Sequence, residues 1–255
     1  MNVIVCVKQI PDPALPGELD PSDNTLKRDG KLILDESDSY GVEMALQLVD
    51  AAGGGGVSLI SMAPDDEVSG LRTALAMGAA KAVLVSDASL AGADALTTAK
   101  VLAAATKQLG DADLIIAGTE SSDGYTGTVP EQIAEVLGLP SVTFAKTVAV
   151  EDGTLKVDRR TEAGYDEVTC PLPAVVSVTA GVVEPRYPSF KGIMAAKKKP
   201  VETVTATDLG VDVTSWGQQV SAVEDAPERE AGEVVEDDGE AFSKIVEYLD
   251  KLKVI

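Results

Sequence analysis

Short apolar runs alternate with longer stretches of helical periodicity over the first 140 residues. The runs are almost continuously apolar, as parallel strands covered on both faces are, and they span residues 3–7, 57–61, 82–86 and 113–118. Between them, residues 39–51, 65–77 and 94–109 carry apolar side chains at three- and four-residue spacing, which predicts helices. Because strands alternate with helices, the pattern predicts an α/β fold built on a doubly wound, mostly parallel, Rossmann-like sheet.

The pattern changes after Pro140. Residues 147–160 read as two strands joined by Asp152 and Gly153, a dipeptide that favours a tight hairpin turn. Residues 167–178 predict one further strand, which returns to the main sheet. We therefore expect a β-hairpin inserted into the α/β domain.

The C-terminal part has a different composition. Clear periodicity is lost from Lys199 onward, and residues 223–241 hold nine acidic side chains and a single arginine, which favours an extended arm. A final short helix carries one apolar stripe, formed by Phe242, Ile245, Val246 and Leu249. Such a stripe needs a surface to cover it. We predict an α/β domain over residues 1–199 and a C-terminal arm over residues 200–255 that packs on a partner.

The composition narrows the possible functions. The chain has 42 acidic and 21 basic residues, so we expect no nucleic-acid binding, which needs clustered cations. It has no histidine, which excludes imidazole metal ligands and a Ser-His-Asp triad. Its two cysteines, Cys6 and Cys170, form no CxxC pair. No stretch reaches the roughly 20 apolar residues of a membrane span. We expect a soluble, cytoplasmic protein whose chemistry is supplied by a cofactor or a partner.

The best candidate for a nucleotide site lies in residues 113–138. A buried strand runs into a loop rich in Gly, Ser and Thr, and a helix is predicted to begin near Thr128, with Pro130 in its first turn. Gly124 and Gly127 allow backbone amides to approach a ligand, and a helix N-terminus favours phosphate. Open α/β sheets bind ligands at such strand ends. A plain glycine-rich turn with a capping threonine is the alternative interpretation.

Two further segments are predicted to lie at the same edge of the sheet. Pro11 and Pro13 end the first strand in a stiff loop. Residues 35–38 stand at the mouth of the first helix, where they would bind a ligand or, through Ser37 or Asp38, cap the helix.

Residues 188–200, PSFKGIMAAKKKP, combine apolar side chains with a local excess of positive charge in a chain of net charge −21. The segment holds three large apolar side chains and three consecutive lysines: Phe190, Ile193, Met194, Lys197, Lys198 and Lys199. A solvated basic turn would leave the apolar side chains unexplained, so we favour a binding surface.

These motifs together resemble the β subunit of electron transfer flavoprotein. The resemblance runs along nearly the whole chain, through VIVCVKQIPD, LRTALAMGAAKAV, DLIIAGTESSDGYTG, LPAVVSV and EPRYPSFKGIMAAKKK, of which the last is the most specific. The stretch VDRRTEAGYDEVTCPLPAVV resembles the family's signature but departs from it at Ala163, where a glycine or an acid is usual, and at Asp166, where Glu or Gln is usual. We interpret both as tolerated changes on a solvent-facing hairpin.

The resemblance implies a non-catalytic electron carrier of the adenine nucleotide α-hydrolase-like fold, paired with a larger α subunit that holds most of a redox-active FAD. It implies that Pro11, Asp12 and Pro13 lie near the flavin, that this chain buries a structural AMP, and that its C-terminal arm packs on the α subunit. The AMP contacts of the family correspond here to Cys6, Asp35, Glu36, Ser37, Asp38, Met62, Asp123, Gly124, Tyr125, Thr126, Gly127, Thr128, Val129 and Gln132.

In the family, the segment corresponding to residues 184–199 is a recognition loop that inserts an apolar anchor into a partner dehydrogenase. The resemblance implies that Phe190 is this anchor, where the family often has leucine. Lys197–Lys199 would hold the C-terminus of the loop's helix or meet acidic α-subunit surface. The implied partners are flavin dehydrogenases such as acyl-CoA dehydrogenases, which act in fatty acid β-oxidation, and a downstream quinone oxidoreductase.

Two alternatives remain. Electron-bifurcating relatives hold a second FAD in place of AMP and typically show a DGDTxQVGP-like loop, where this chain has DGYTGTVP. Pro130 replaces a glycine there and lacks an amide donor, which suits one phosphate better than two, although Gly127 could reopen the space. The other alternative is a stand-alone adenine-nucleotide-binding sensor, which would need neither residues 184–199 nor a long arm. A nicotinamide dehydrogenase is disfavoured because no GxGxxG follows the first strand.

Overall fold

The computed structural model describes residues 1–255 except 64, 215, 216, 219, 225, 226, 228–231, 233 and 238. The chain divides into two compact units, Met1–Ser221 and Ala222–Ile255. The predicted extended arm over residues 223–241 falls partly outside the described residues, and its packing on a partner stays a prediction. In the part of the chain that is described, no helix is long and apolar enough to cross a membrane.

The first unit contains all the strands and five of the six α-helices among the described residues. The strands are β1 Asn2–Cys6, β2 Gln9–Pro11, β3 Leu32–Leu34, β4 Gly56–Ala63, β5 Lys81–Ser86, β6 Leu114–Gly118, β7 Ser141–Glu151, β8 Thr154–Thr161, β9 Gly164–Pro171, β10 Ala174–Val178 and β11 Val201–Val204. The helices are α1 Glu36–Ala51, α2 Ser69–Met77, α3 Ala95–Leu109, α4 Val129–Leu137, α5 Phe190–Ala196 and, in the second unit, α6 Ala241–Lys251.

Nine strands form one sheet in the order β11-β5-β4-β1-β6-β10-β7-β8-β9. The first seven are parallel, with Val3 of β1 paired to Val57 of β4 and Leu114 of β6. Strands β7, β8 and β9 pair antiparallel at one end. The predicted doubly wound, mostly parallel α/β sheet is therefore confirmed.

Alternate residues of the central strands point to two apolar layers. Val3 and Val5 of β1 pack with side chains of α1 and α2, whereas Ile4 and Cys6 pack with side chains of α3 and α4. Helices therefore cover both faces, which is why the central strands are nearly continuously apolar. All parallel strands end at one edge of the sheet, and the predicted nucleotide loop follows β6 there.

The predicted hairpin is confirmed as β7 and β8, and its turn has the conformation that the Asp-Gly dipeptide favours. Asp152 and Gly153 have φ angles of 49° and 75°, the left-handed pair that a two-residue hairpin turn needs. Ala163 and Asp166 are exposed, as expected for a solvent-facing hairpin.

Several elements differ from the predictions, among them the following three. The single strand predicted over residues 167–178 is two strands, because Pro171 and Pro173 lack the N–H groups that would continue one ladder. The second helix begins at Ser69 rather than Asp65, because the side chain of Gln9 accepts a hydrogen bond from the Gly70 amide (2.8 Å) and fixes the start. Strand β11, next to β5, is new and too short to show periodicity.

Candidate nucleotide site

The floor of the candidate site is the carboxyl end of β1 and β4, which are neighbours in the sheet. Cys6 and Met62 stand there on the same face, in the apolar layer that includes Ile133 and Ala134 of α4. Cys6 is buried, and burial raises the pKa of its thiol to about 12. The thiol is therefore neutral, and Cys6 serves as an apolar contact rather than as a nucleophile.

Asp35 joins the first helix to the loop that follows β6. Its Oδ1 accepts hydrogen bonds from the amide of Ser37 (3.1 Å) and the Ser37 hydroxyl (2.8 Å), which caps α1. Its Oδ2 accepts from the amide of Ser122 (2.8 Å) and the Ser122 hydroxyl (3.1 Å). Asp35 is completely buried, and both of its carboxylate oxygens accept hydrogen bonds from the protein itself. The predicted capping of this helix by Ser37 or Asp38 is wrong.

Asp38 lies one turn into α1 and is also buried. Its Oδ2 accepts a hydrogen bond from the Lys8 amide (2.6 Å). Burial raises the pKa of this carboxyl group to about 8, and the neighbouring charge of Asp35 adds to the shift. The Asp38 carboxyl group therefore keeps its proton to a higher pH than an ordinary aspartate does. Glu36, in the same turn, is exposed.

Asp123 is held between two cations. One carboxylate oxygen is 2.6 Å from Lys8 Nζ and the other is 2.5 Å from Arg28 Nη2. Lys8 Nζ also donates to the Ser121 hydroxyl (3.2 Å). Burial alone would raise the pKa of the Asp123 carboxyl group, but the charges and hydrogen bonds of Lys8 and Arg28 hold it below its usual value. Asp123 thus fixes the loop rather than presenting free acceptors to a ligand.

The rest of the loop leaves donors open. Tyr125 and Gly127 have positive φ angles (49° and 64°), and the Tyr125 side chain is exposed. Within the described residues, the backbone N–H groups of Thr126, Gly127 and Thr128 donate to no protein acceptor. Thr128 occupies the N-cap position of α4, but its side chain makes no capping hydrogen bond. The capping threonine of the alternative interpretation is therefore not found.

Two acceptors near the start of α4 also lack partners. Gln132 Nε2 donates to the Thr128 hydroxyl (3.2 Å), but Gln132 Oε1 and Glu131 Oε2 are buried and have no hydrogen-bond partner among the described residues. Buried polar atoms are normally paired. Open amide donors and unpaired acceptors at one helix start are what a bound polar ligand would satisfy. Val129 packs against the apolar layer behind them.

The structure brings most of the predicted nucleotide-site residues to one edge of the sheet. Lys8 and Arg28 were missed by sequence reasoning. Lys8 follows β1 at the ligand-binding edge, a position that could have signalled it, whereas Arg28 is 95 residues from Asp123 and carried no local signal.

The predicted flavin-facing segment differs from the expected loop. Pro11 belongs to β2, which pairs with β3 in a separate two-stranded sheet, so it does not end the first strand. Proline is tolerated in such an edge strand. Asp12 accepts a hydrogen bond from the Ala14 amide (3.0 Å), and Pro13 is exposed.

Residues 184–199, here termed the docking segment, lie elsewhere on the same unit. Arg186 donates from Nε to Glu43 Oε2 (2.6 Å) and from Nη2 to Glu43 Oε1 (3.0 Å), a bidentate pair that ties the segment to α1. Ser189 caps α5 by accepting from the Gly192 amide (3.0 Å). Phe190 is 80% exposed, and Ile193 and Met194 are about half exposed.

Comparison with known proteins adds independent information. The model of the electron transfer flavoprotein domain family matches residues 23–209. The chain is 41% identical to electron transfer flavoprotein subunit beta of Mycobacterium tuberculosis, over all of this chain and 99% of the relative. It is 37% identical to the subunit of the same name from Thermoanaerobacterium thermosaccharolyticum, over the full length of both. It is 36% identical to caffeyl-CoA reductase-Etf complex subunit CarD of Acetobacterium woodii, over 87% of this chain and 84% of the relative.

Proposed function

We propose a role as an electron-carrying subunit for this chain, which belongs to the electron transfer flavoprotein β-subunit family. In this proposal the chain forms a heterodimer with an α subunit that holds most of an FAD. The heterodimer accepts electrons from flavin dehydrogenases such as acyl-CoA dehydrogenases and passes them to a quinone oxidoreductase. The chain itself is not an enzyme, and its tasks are to bind, position and dock. Membership of the family supports the electron-carrying role. The observation on this chain that carries the nucleotide-binding part of the proposal is the open start of α4.

The residues at this site fit AMP. The open amides of Thr126, Gly127 and Thr128 suit a phosphate at a helix N-terminus. The unpaired oxygens of Glu131 and Gln132 are acceptors, which suit the hydroxyl and amine donors of an adenosine. AMP has a phosphate that accepts hydrogen bonds and hydroxyl and amine groups that donate them. It would therefore pair with the open amides and the unpaired oxygens at once. In this proposal AMP is a structural ligand of the chain.

AMP fits better than a second FAD because donors for a pyrophosphate are few. Pro130 is buried in the first turn of α4 and supplies no N–H group. The amide of Ser122 is already used by Asp35, and Asp123 is held by its two cations. One phosphate needs fewer donors than two, so the loop favours the smaller nucleotide.

A second candidate function rests on one relative, whose name places it in a caffeyl-CoA reductase–Etf complex. In this alternative, the chain would be a subunit of an electron-bifurcating complex and would hold a second FAD at the site. The two candidates differ in the nucleotide released from the purified heterodimer, which is the measurement that separates them.

Helix α6, taken by itself, supports a partner. Phe242, Ile245, Val246 and Tyr248 are each more than half exposed, and Leu249 completes the stripe. An apolar stripe on an exposed helix is typical of a surface covered in an assembly. We infer that the α subunit covers it, and that Pro11, Asp12 and Pro13 lie near the flavin in the heterodimer.

The function is tested by producing the chain alone and together with an α subunit. We expect the chain alone to be poorly stable or to aggregate, and the pair to purify as a yellow heterodimer. Under anaerobic conditions, an acyl-CoA dehydrogenase supplied with its substrate should then reduce the flavin of the heterodimer. A stable homodimer that holds nucleotide but no FAD would contradict the proposal and support the nucleotide-sensor alternative.

A further inference from the structure

Helix α5, which carries the apolar side chains of the docking segment, cannot be stable by itself. It has only seven residues, and isolated helices that short do not form in water. Its outward side chains Phe190, Ile193 and Met194 are 45–80% exposed, so they bury little area and contribute little stability. The conformation of α5 must therefore be held from its inner side.

The inner side of α5 packs directly on α2. Ala196 is almost completely buried in the apolar layer that contains α2. A Cβ atom placed on Gly192 would lie only 2.5 Å from the carbonyl oxygen of Ala76. The two helices therefore touch backbone to backbone, and this contact tolerates no side chain at residue 192.

Two cations join the helices at their ends. Arg72 of α2 donates from Nη1 to the carbonyl oxygens of Ala196 and Lys199, both at 2.7 Å. Lys199 donates from Nζ to the carbonyl oxygens of Leu75 (2.8 Å) and Ala79 (2.7 Å), at the end of α2. Carbonyls at a helix C-terminus lack intrahelical partners and favour cations. Each segment therefore supplies the cation that caps the other, an arrangement termed here the α2–α5 clamp.

The clamp separates the roles of the three lysines. Lys197 and Lys198 are exposed, whereas Lys199 is partly buried, and burial lowers the pKa of its ammonium group. Two roles were expected for Lys197–Lys199, holding the end of their own helix or meeting acidic α-subunit surface. The first is wrong for Lys199, which caps α2 instead. Arg72, which the sequence did not single out, caps α5.

We propose that Arg72 and Lys199 are positioning residues that hold the docking segment in its binding conformation before a partner arrives. The inference rests on the proposed docking function of Phe190, Ile193 and Met194. A surface that is already ordered loses less conformational entropy on binding, so its affinity is higher than that of the same side chains on a mobile loop. The clamp acts through α5 and does not touch the partner.

The test compares Arg72→Met and Lys199→Met with Lys198→Met, in the purified heterodimer with its flavin. The first two variants keep an aliphatic stem but lose the donors, and the third removes an adjacent exposed charge. Lys199→Arg, which retains donors, is the conservative variant. The measurements are hydrogen exchange of the α5 amides and the kcat/KM for electron transfer from an acyl-CoA dehydrogenase.

Each clamp variant should speed exchange of the α5 amides by roughly tenfold or more, because hydrogen bonds to charged groups are strong. Each should lower kcat/KM by roughly threefold to tenfold, through a higher KM at nearly unchanged kcat. Lys198→Met should leave the exchange unchanged. Lys199→Arg should keep both the exchange rate and kcat/KM close to their wild-type values. Arg72 and Lys199 lie on different segments, so one variant remains informative if the other does not fold.

Unchanged exchange in both clamp variants would overturn the inference, whatever the kinetics. Faster exchange with unchanged kcat/KM would also overturn it, because the clamp would then not matter for docking. In that case Phe190→Ala tells the two failures apart. If Phe190→Ala slows transfer, docking stands and only the positioning role fails. If it does not, the proposed docking function fails as well.

Discussion

The nucleotide edge and the docking segment use helix ends in opposite ways. At the docking segment, the ends of α2 and α5 are closed by Lys199 and Arg72, and the large apolar side chains of α5 point outward. At the nucleotide edge, α1 is closed by Asp35, but α4 begins at Thr128 with no side-chain cap. A closed helix end is explained by the protein alone. An open one, beside buried unpaired acceptors, is where we propose that the nucleotide binds.

The other helix starts of the first unit sharpen this contrast. Asp94 caps α3 by accepting from the Thr97 amide, and Ser189 caps α5. Helix α2 has no side-chain cap at Val68, but Glu67 Oε1 accepts from its Ser69 amide (2.6 Å) and the Gln9 side chain accepts from its Gly70 amide. Helix α4 alone among these five lacks such an acceptor in the described residues. The distribution of caps, and not glycine content, is therefore the feature that singles out the start of α4 as the candidate nucleotide site.

The largest effect should come from Asp35→Ala, which removes the side chain that caps α1 and holds the loop after β6. The variant loses the cap of α1 and leaves the amide and hydroxyl donors of Ser37 and Ser122 without this acceptor. We expect it to destabilise the chain by roughly 2–4 kcal/mol and to release AMP, measured as nucleotide per heterodimer. Asp94→Ala is the control, because it removes a helix cap but should keep AMP. Full AMP content in Asp35→Ala would show that the loop does not depend on this anchor.

The next effect concerns the outward face of the docking segment. Burying a phenylalanine contributes about 1.5–3 kcal/mol, so Phe190→Ala should weaken transfer from a dehydrogenase roughly tenfold to a hundredfold at sub-saturating carrier. Flavin and AMP content should not change, because the Phe190 side chain is largely exposed and, in the proposal, contacts neither the flavin nor the AMP. Leu96→Ala removes an exposed apolar side chain from α3 and is the control. If Phe190→Ala and Leu96→Ala show the same electron-transfer kinetics, Phe190 is not part of the docking surface.

The smallest effect is a pH dependence at the nucleotide edge. The pKa of Asp38 is about 8 in the folded chain, whereas an unfolded aspartate titrates near about 4. Between these values the folded chain binds more protons, so the stabilisation is fully present below about pH 4 and is lost as the pH rises through about 8. In Asp38→Asn this loss should disappear. The melting temperature of the wild type should therefore fall relative to the variant between pH 5 and 8.

Glu36→Gln, which removes an exposed charge from the same helical turn, is the matched control for this comparison. A constant difference in melting temperature between wild type and Asp38→Asn over the whole pH range would show that the Asp38 carboxyl group keeps the same pKa in both states.

Local sequence signals were sufficient where neighbours in the chain decide the structure. The apolar runs predicted β1, β4, β5 and β6, and Asp152–Gly153 predicted the hairpin turn. They also placed the loop before Thr128 at the ligand-binding edge, because parallel strands all end there. These elements depend on periodicity and turn chemistry, which are properties of short segments.

Contacts between distant segments were not predictable. Asp123 meets Lys8 across 115 residues, and Lys199 meets Leu75 across 124. A lysine next to a helix end in sequence looked like the cap of that helix, but folding placed it at the end of another. The capping of α1 was likewise assigned to the wrong side chains, because only the fold shows that Asp35 also holds Ser122. The sequence therefore pointed to the candidate segments but not to the side chains that fix their geometry.

The most direct test of the account is the nucleotide content of the purified heterodimer. The protein is denatured, the released nucleotides are separated, and FAD and AMP are quantified against protein. Because the open start of α4 offers donors for one phosphate and Pro130 supplies none, the account predicts one FAD and one AMP per heterodimer. Two FAD and no AMP would contradict it, and would assign the chain to an electron-bifurcating complex instead.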